Sequence, residues 1–209
     1  MRFLFRWAFR LFLVAVVLLV ALVLLKDTLV KAIVERQIES YAGLNVRIER
    51  VAMGLLSPTL TFENLKLYNT AEFGGAPLAD VPELHLEYDR GAVAFRKLRF
   101  KLVRLHLSEL NIVESKDGRT NIIGFVHELQ QLSSPNAKSR SAFTFAGIDV
   151  LNLTLDNVRY SNLKHPAQGY EFQFGLKNEL LTNVKTLPDL SNLILNILVN
   201  RGITIRSSP

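Results

Sequence analysis

An eight-position pattern recurs along the chain: apolar, polar, apolar, two polar, apolar, polar, apolar. It reads LTFENLKL from Leu60 to Leu67, LHLSELNI from Leu105 to Ile112 and LTLDNVRY from Leu153 to Tyr160, with starts 45 and 48 residues apart. Looser versions stand at Val46 to Met53 (VRIERVAM) and Phe143 to Val150 (FTFAGIDV), shortly before the first and third copies. A binary pattern of this length turns up about once by chance in a half-apolar chain of this size. The copies exceed that, and a period of this size marks one supersecondary unit used repeatedly. Alternation predicts strands. The adjacent polar pairs Glu63-Asn64, Ser108-Glu109 and Asp156-Asn157 would throw the next apolar residues onto the opposite face of a regular strand, and a bulge restores them. Repeated across strands, such bulges curl a sheet into a trough.

The remaining segments extend this sheet. Val81 to Tyr88 (VPELHLEY) and Tyr170 to Lys177 (YEFQFGLK) alternate as strands, and the loop from Asn69 to Pro77 carries Gly74 and Gly75. Lys116-Asp117-Gly118 is a tight-turn signal. Asn121 to Leu132 reads as a short amphipathic helix, with Ile122, Phe125, Val126, Leu129 and Leu132 on one face. Ser133 to Ser141 (SSPNAKSRS) is polar and breaker-rich, the best linker candidate. Leu190 to Val199 is an apolar helix with Pro188 and Asp189 at its start and Gly202 beyond it. The sheet is expected to hold about eight to ten strands, more than two short helices can cover.

The N-terminus follows a different pattern. Every residue from Leu11 to Leu25 is apolar. With Trp7, Ala8 and Phe9 the run approaches the roughly 20 residues of a spanning helix, interrupted only by Arg10, which can snorkel. Val23, Leu24, Leu25 and Lys26 offer no small-x-small cleavage site, so the segment is expected to be an uncleaved anchor. Arg2, Arg6 and Arg10 precede it, and Asp27 offsets Lys26 after it. The positive-inside rule therefore places the N-terminus in the cytoplasm and residues 27–209 outside. In a bacterium with two membranes this is a single-pass inner-membrane protein whose bulk is periplasmic. The helix continues to about Tyr41, with Val30, Ile33, Val34, Ile38 and Tyr41 on one side, Glu35, Arg36 and Glu39 on the other, and Gly43 as its stop.

The expected fold class is an N-terminal transmembrane helix plus a mainly β exported domain, a curved, largely antiparallel sheet or groove with two short amphipathic helices. Its divisions are an anchor at 1–26, a helical extension at 27–42 and a β module with a terminal helix at 43–132. A linker at 133–141 and a second β module with a C-terminal helix at 142–209 follow.

Composition narrows the chemistry. The chain has 209 residues, no cysteine and a formal net charge of +6, so neither disulfides nor a thiolate zinc site are expected. A basic stretch, Arg90, Arg96, Lys97, Arg99, Lys101 and Arg104, contains no acid between its ends. Within it Lys97, Arg99 and Lys101 alternate with Leu98, Phe100 and Leu102. One reading is a solvated outer face. The other is attraction to anionic lipid headgroups, at about 1 kcal/mol per basic residue. Nucleic acid is not expected as a partner for a domain exported past a membrane, and the stretch offers no row of aromatic residues for base stacking.

Catalytic constellations are missing from the sequence. His85, His106, His127 and His165 show no metal-ligand spacing, and there is no nucleophile elbow, phosphate loop or dinucleotide fingerprint. No cofactor, metal site or enzymatic activity is expected. An apolar sheet face must still be covered. A packed core, a second copy or an envelope protein partner would each serve. So would a lipid acyl chain, at about 0.8 kcal/mol per buried methylene.

The order of features resembles the N-terminal part of AsmA-family proteins, inner-membrane-anchored proteins related in fold to TamB and the chorein-type lipid bridges. The resemblance rests on the Arg-rich anchor and helix, GLNVRIERVAMGLLSPTLTFENLKLYN at 43–69 and PLADVPELHLEYD at 77–89. LHLSELNIVESKDGRTNI at 105–122 and LTLDNVRYSN at 153–162 complete it. It implies a curved apolar β-groove in the periplasm that handles phospholipid or supports outer-membrane assembly. It makes Leu60, Phe62, Leu65, Leu67, Leu105, Leu107, Leu110, Ile112, Leu153, Leu155 and Val158 candidate groove residues, with Lys97, Arg99 and Lys101 at the headgroup or membrane surface. The alternative is a structural scaffold subunit whose apolar face is covered by self-assembly or a partner protein.

Overall fold

The computed structural model describes residues 16, 21, 23–39, 44–124 and 143–200. The alternating segments form one six-stranded sheet in the order β1-β2-β3-β4-β5-β6. The strands are β1 (Val46–Met53), β2 (Thr59–Tyr68), β3 (Pro77–Tyr88), β4 (Lys97–Glu114), β5 (Thr144–Asn162) and β6 (Tyr170–Val184). Every neighbouring pair is antiparallel except β4 with β5, which is parallel.

Among the described residues six strands stand where eight to ten were expected, because the segments are longer than their patterns suggested. Phe143 to Val150 and Leu153 to Tyr160 merge into β5, a single strand of 19 residues. Lys97 to Arg104 of the basic stretch and LHLSELNI merge into β4, of 18 residues. At about 3.3 Å per residue these strands are roughly 60 Å long, while six strands at about 4.8 Å spacing span only about 25 Å. The stretch 133–141, expected as a linker, lies outside the described residues. The strands before and after it are direct neighbours, with Leu105 beside Leu153 and Ile112 beside Tyr160. A parallel pairing needs a long crossover, and residues 115–143 provide it.

The expected bulges take a different form. In β1 and β2 the buried positions continue on one face past the polar pair: Ile48 and Val51, then Phe62 and Leu65. Yet the register between the two strands is unchanged on either side, from Ile48↔Leu65 to Arg50↔Glu63. Both strands carry the additional residue at the same level, so the sheet is creased across strands instead of bulged in one. Asn64 sits in the crease at φ 51°, a left-handed conformation that asparagine tolerates better than most residues, and its amide donates to Glu49 at 2.8 Å. One-sided shifts do occur between β5 and β6, one between Leu153 and Leu155 and one between Leu155 and Asn157.

Helices cover the apolar side. Residues 23–39 are helical; Val30 and Val34 pack on the core. The C-terminal helix (Leu187–Asn200) brings Leu190, Leu193, Ile194 and Ile197 onto the same face. Of the helix expected at 121–132, residues 121–124 are helical, and 125–132 lie outside the described residues. A helix at Arg90–Ala94 was not anticipated; Asp89 caps it by accepting from Gly91 N at 2.8 Å and Ala92 N at 3.1 Å. The expected membrane span falls mainly on residues outside those described. Among the described residues, no helix is long and apolar enough to cross a membrane.

Candidate functional site

Cross-strand register turns the eight-position pattern into apolar rows. Leu67, Ala79, Leu110, Val158 and Phe172 stand opposite one another in turn from β2 to β6. A second row runs Val51, Phe62, Leu84, Leu105 and Leu153, and a third runs Met53, Leu60, Leu86, Val103, Leu151 and Leu181. The second row ends on Glu179 of β6, which faces Leu153. One face of the sheet is therefore nearly continuous hydrocarbon.

Burial divides the eleven predicted groove residues into two groups. Phe62, Leu65, Leu110, Ile112, Leu153, Leu155 and Val158 are buried in the packed core. Leu60, Leu67, Leu105 and Leu107 are only partly buried. With them belong Leu84 and Leu86, which sequence reasoning placed on a strand without assigning to the face, although the alternation in VPELHLEY holds that signal. Register makes Leu60 the neighbour of Leu86, and Leu84 the neighbour of Leu105. The result is a half-open apolar strip along β2–β4, between core residues fully buried under β1's side and under β5's side.

The opposite face is tiled with ion pairs between neighbouring strands: Arg50–Glu63 at 3.2 Å, Lys66–Asp80 at 3.3 Å, Arg104–Glu83 at 3.4 Å and Arg159–Glu171 at 3.0 Å. Exposed pairs of this kind contribute little each, but they identify a water-facing surface. His106 and His85 lie here with partners, His106 Nε2 to Asp156 Oδ2 at 2.8 Å and His85 Nδ1 to Thr61 Oγ1 at 2.8 Å. Of the predicted headgroup residues, Arg99 is engaged by Asp149 at 3.0 Å, whereas Lys97 and Lys101 are exposed without an ion pair among the described residues. The alternation around them breaks at Lys101, because β3 pairs Glu87 with Leu102 and then Tyr88 with Phe100.

The N-terminal helix is fastened to the free edge of β1. Asp27 accepts the Met53 N–H at 2.9 Å and Glu35 accepts the Ile48 N–H at 2.9 Å, while Lys26 donates to the Met53 carbonyl at 2.7 Å. Glu35 was expected on the solvent side of this helix; the edge strand's unpaired amides draw it inward. Burial raises the Asp27 pKa, but the Lys26 ammonium and the Met53 N–H outweigh it and hold the carboxyl below its ordinary value.

At the far end, Asn121 donates to Asn69 and to the Asn111 carbonyl, both at 2.8 Å, and accepts the Val113 N–H at 2.9 Å. Nearby, Tyr160 donates to Glu114 at 2.5 Å. Burial, then this bond to a carboxylate, push the Tyr160 pKa up. Both arrangements close the core where the strands end.

Fold and site define a class: a mainly antiparallel β-sheet protein, one face charged and the other apolar, with helices over the edges of the apolar side. No family model matches the sequence, and no curated protein or solved structure matches it.

Proposed function

We propose that this is a membrane-anchored, AsmA-like protein of the cell envelope that binds phospholipid along the apolar face of its sheet, without chemical turnover, and so serves lipid homeostasis or outer-membrane assembly. The observation that carries the reading is the half-open strip of Leu60, Leu84, Leu86, Leu105 and Leu107. Long strands place leucines side by side there, and the flanking helices leave them incompletely covered. An acyl chain lying on the strip exchanges one hydrocarbon surroundings for another, and its headgroup remains in water beside basic side chains. The buried members of the predicted set form the floor that holds the strip in shape.

The test is photo-crosslinking in membranes. A benzophenone amino acid replaces Leu105 on the strip or Arg104 on the charged face of the full chain, in cells fed radiolabelled phosphate. Lipid adducts at 105 and none at 104 support the proposal; equal or absent labelling removes it.

A scaffold subunit is the second reading, favoured by the packed core that already encloses Val158 and Ile48, both 0 % exposed. In that case a crosslinker at 105 captures protein and no lipid.

A further inference from the structure

Several connections meet at one end of the sheet. Residues 54–58 join β1 to β2, residues 89–96 join β3 to β4, and β5 begins beside them, with Thr144 N donating to the Arg96 carbonyl at 2.9 Å. The N-terminal helix enters at this same end, since Asp27 meets Met53 whereas Glu35, two turns later, meets Ile48. The connections carry uncovered apolar side chains: Leu56 is 91 % exposed, Phe95 80 % and Leu55 60 %. Leu24 and Leu25, on the entering helix, are 73 % and 54 % exposed. A lone exposed leucine is ordinary. Large apolar residues from three separate segments gathered at one end form a patch.

The β1–β2 turn is built to present its leucines. A Cβ at Gly54 would lie 2.4 Å from Thr59 Oγ1 and 2.5 Å from the Ser57 carbonyl, so the tight path admits only glycine. Gly54 N donates to Thr59 O, Thr59 N to Ser57 O and Tyr88 N to Pro58 O, each at 2.9 Å. The Leu56 carbonyl accepts from the Arg90 guanidinium. These bonds occupy the Gly54, Thr59 and Tyr88 N–H groups and the Leu56, Ser57, Pro58 and Thr59 carbonyls inside the protein, which lessens the backbone polarity that Leu55 and Leu56 would carry into an apolar medium. Arg90, Arg96 and Lys97 are exposed around the patch, and Arg96 and Lys97 pair with no carboxylate among the described residues.

We propose that this end is a membrane-docking tip: Leu55, Leu56 and Phe95 enter the headgroup–acyl boundary of an anionic bilayer, and Arg90, Arg96 and Lys97 lie against its phosphates. The inference rests on the membrane-anchored reading and deepens it. The helix from the anchor arrives at this end, so the bilayer and the patch are on the same side of the domain. Leu60 and Leu86 open the apolar strip immediately behind the turn, which gives an acyl chain a continuous hydrocarbon path from bilayer to sheet.

The cysteine-free chain allows a clean test. Leu56→Cys in the full chain is labelled with the fluorophore NBD and reconstituted into phosphatidylcholine vesicles with or without phosphatidylglycerol. Lys116→Cys, on the turn at the opposite end of β4, is the reference. The label at 56 is expected to emit to the blue of that at 116 and to be quenched several-fold more by spin-labelled acyl chains. Arg96→Gln with Lys97→Gln should reduce this difference in phosphatidylglycerol vesicles. Equal, water-like emission at 56 and 116 in protein that floats with the vesicles overturns the tip alone. Failure to float overturns the anchored reading with it. A shielded label at 56 without lipid adducts at 105 leaves the tip standing and removes the lipid-binding strip.

Discussion

The carboxylate of Glu35 accepts the backbone N–H of Ile48 at 2.9 Å, so a helix side chain occupies the place another strand would take at the edge of the sheet. Asp27 repeats the arrangement at Met53, two helical turns away. An open edge invites pairing with other chains; here Asp27, Glu35 and Lys26 of the entering helix bond to it. The edge cap and the helix that precedes β1 are thus one element.

Removing one cap should expose it locally. Glu35→Ala removes the acceptor from the N–H of Ile48, a residue that is 0 % exposed, and orphaning a buried donor costs about 1–3 kcal/mol. Hydrogen exchange should accelerate at Ile48, with a smaller effect for Glu35→Gln, which keeps an acceptor. Unchanged exchange at Ile48 in Glu35→Ala would show that the helix does not protect this edge.

The Asp27 contact with Met53 makes helix docking sensitive to acid. Because the folded-state pKa of Asp27 is lowered, its contribution is present above the ordinary aspartate value of about 3.9 and is lost as pH falls through the folded value. Urea midpoints measured from neutral pH down to about pH 3 should fall more steeply in the parent than in Asp27→Asn, which is weaker at neutral pH and loses that part of the slope.

Asn64, at φ 51°, predicts an unusual order of substitutions. Asn64→Ala should lose about 1 kcal/mol from the left-handed backbone, and Asn64→Val more, because branching at Cβ worsens the clash. Asn64→Gly should be the best tolerated despite losing the bond to Glu49. Denaturant titrations of the set check this; alanine outperforming glycine would contradict the crease.

Two leucines separate core from surface. Leu155 is 3 % exposed, so Leu155→Ala should cost about 2–5 kcal/mol through transfer and cavity terms. Leu107, its neighbour across the β4–β5 pairing, is half-open, and Leu107→Ala should cost less than half as much. Thermal denaturation of both variants decides whether the strip is open in solution.

The sequence disclosed the strands and which of their residues share a face, because alternation interrupted by Glu63-Asn64 or Asp156-Asn157 is a local signal. It did not disclose that β4 and β5 run parallel, since that depends on where the crossover at 115–143 delivers the chain. Nor did it separate Leu153 from Leu105: both occupy the same place in the pattern, yet Leu153 is buried and Leu105 only partly so, which depends on what the rest of the fold lays over each. Glu35 was misplaced for a related reason, as an amphipathic count treats every carboxylate as solvent-facing and cannot see an edge strand's amides. The Arg90–Ala94 helix did have a signal, Asp89 before Gly91 and Ala92, hidden within the basic stretch.

The central claim, that lipid lies on the half-open strip, is tested most directly by the crosslinker at Leu105 in the membrane-borne full chain, compared with Arg104 on the opposite face. The account predicts phospholipid adducts at 105 alone. Adducts to protein only, or lipid labelling that does not distinguish the two faces, would contradict it.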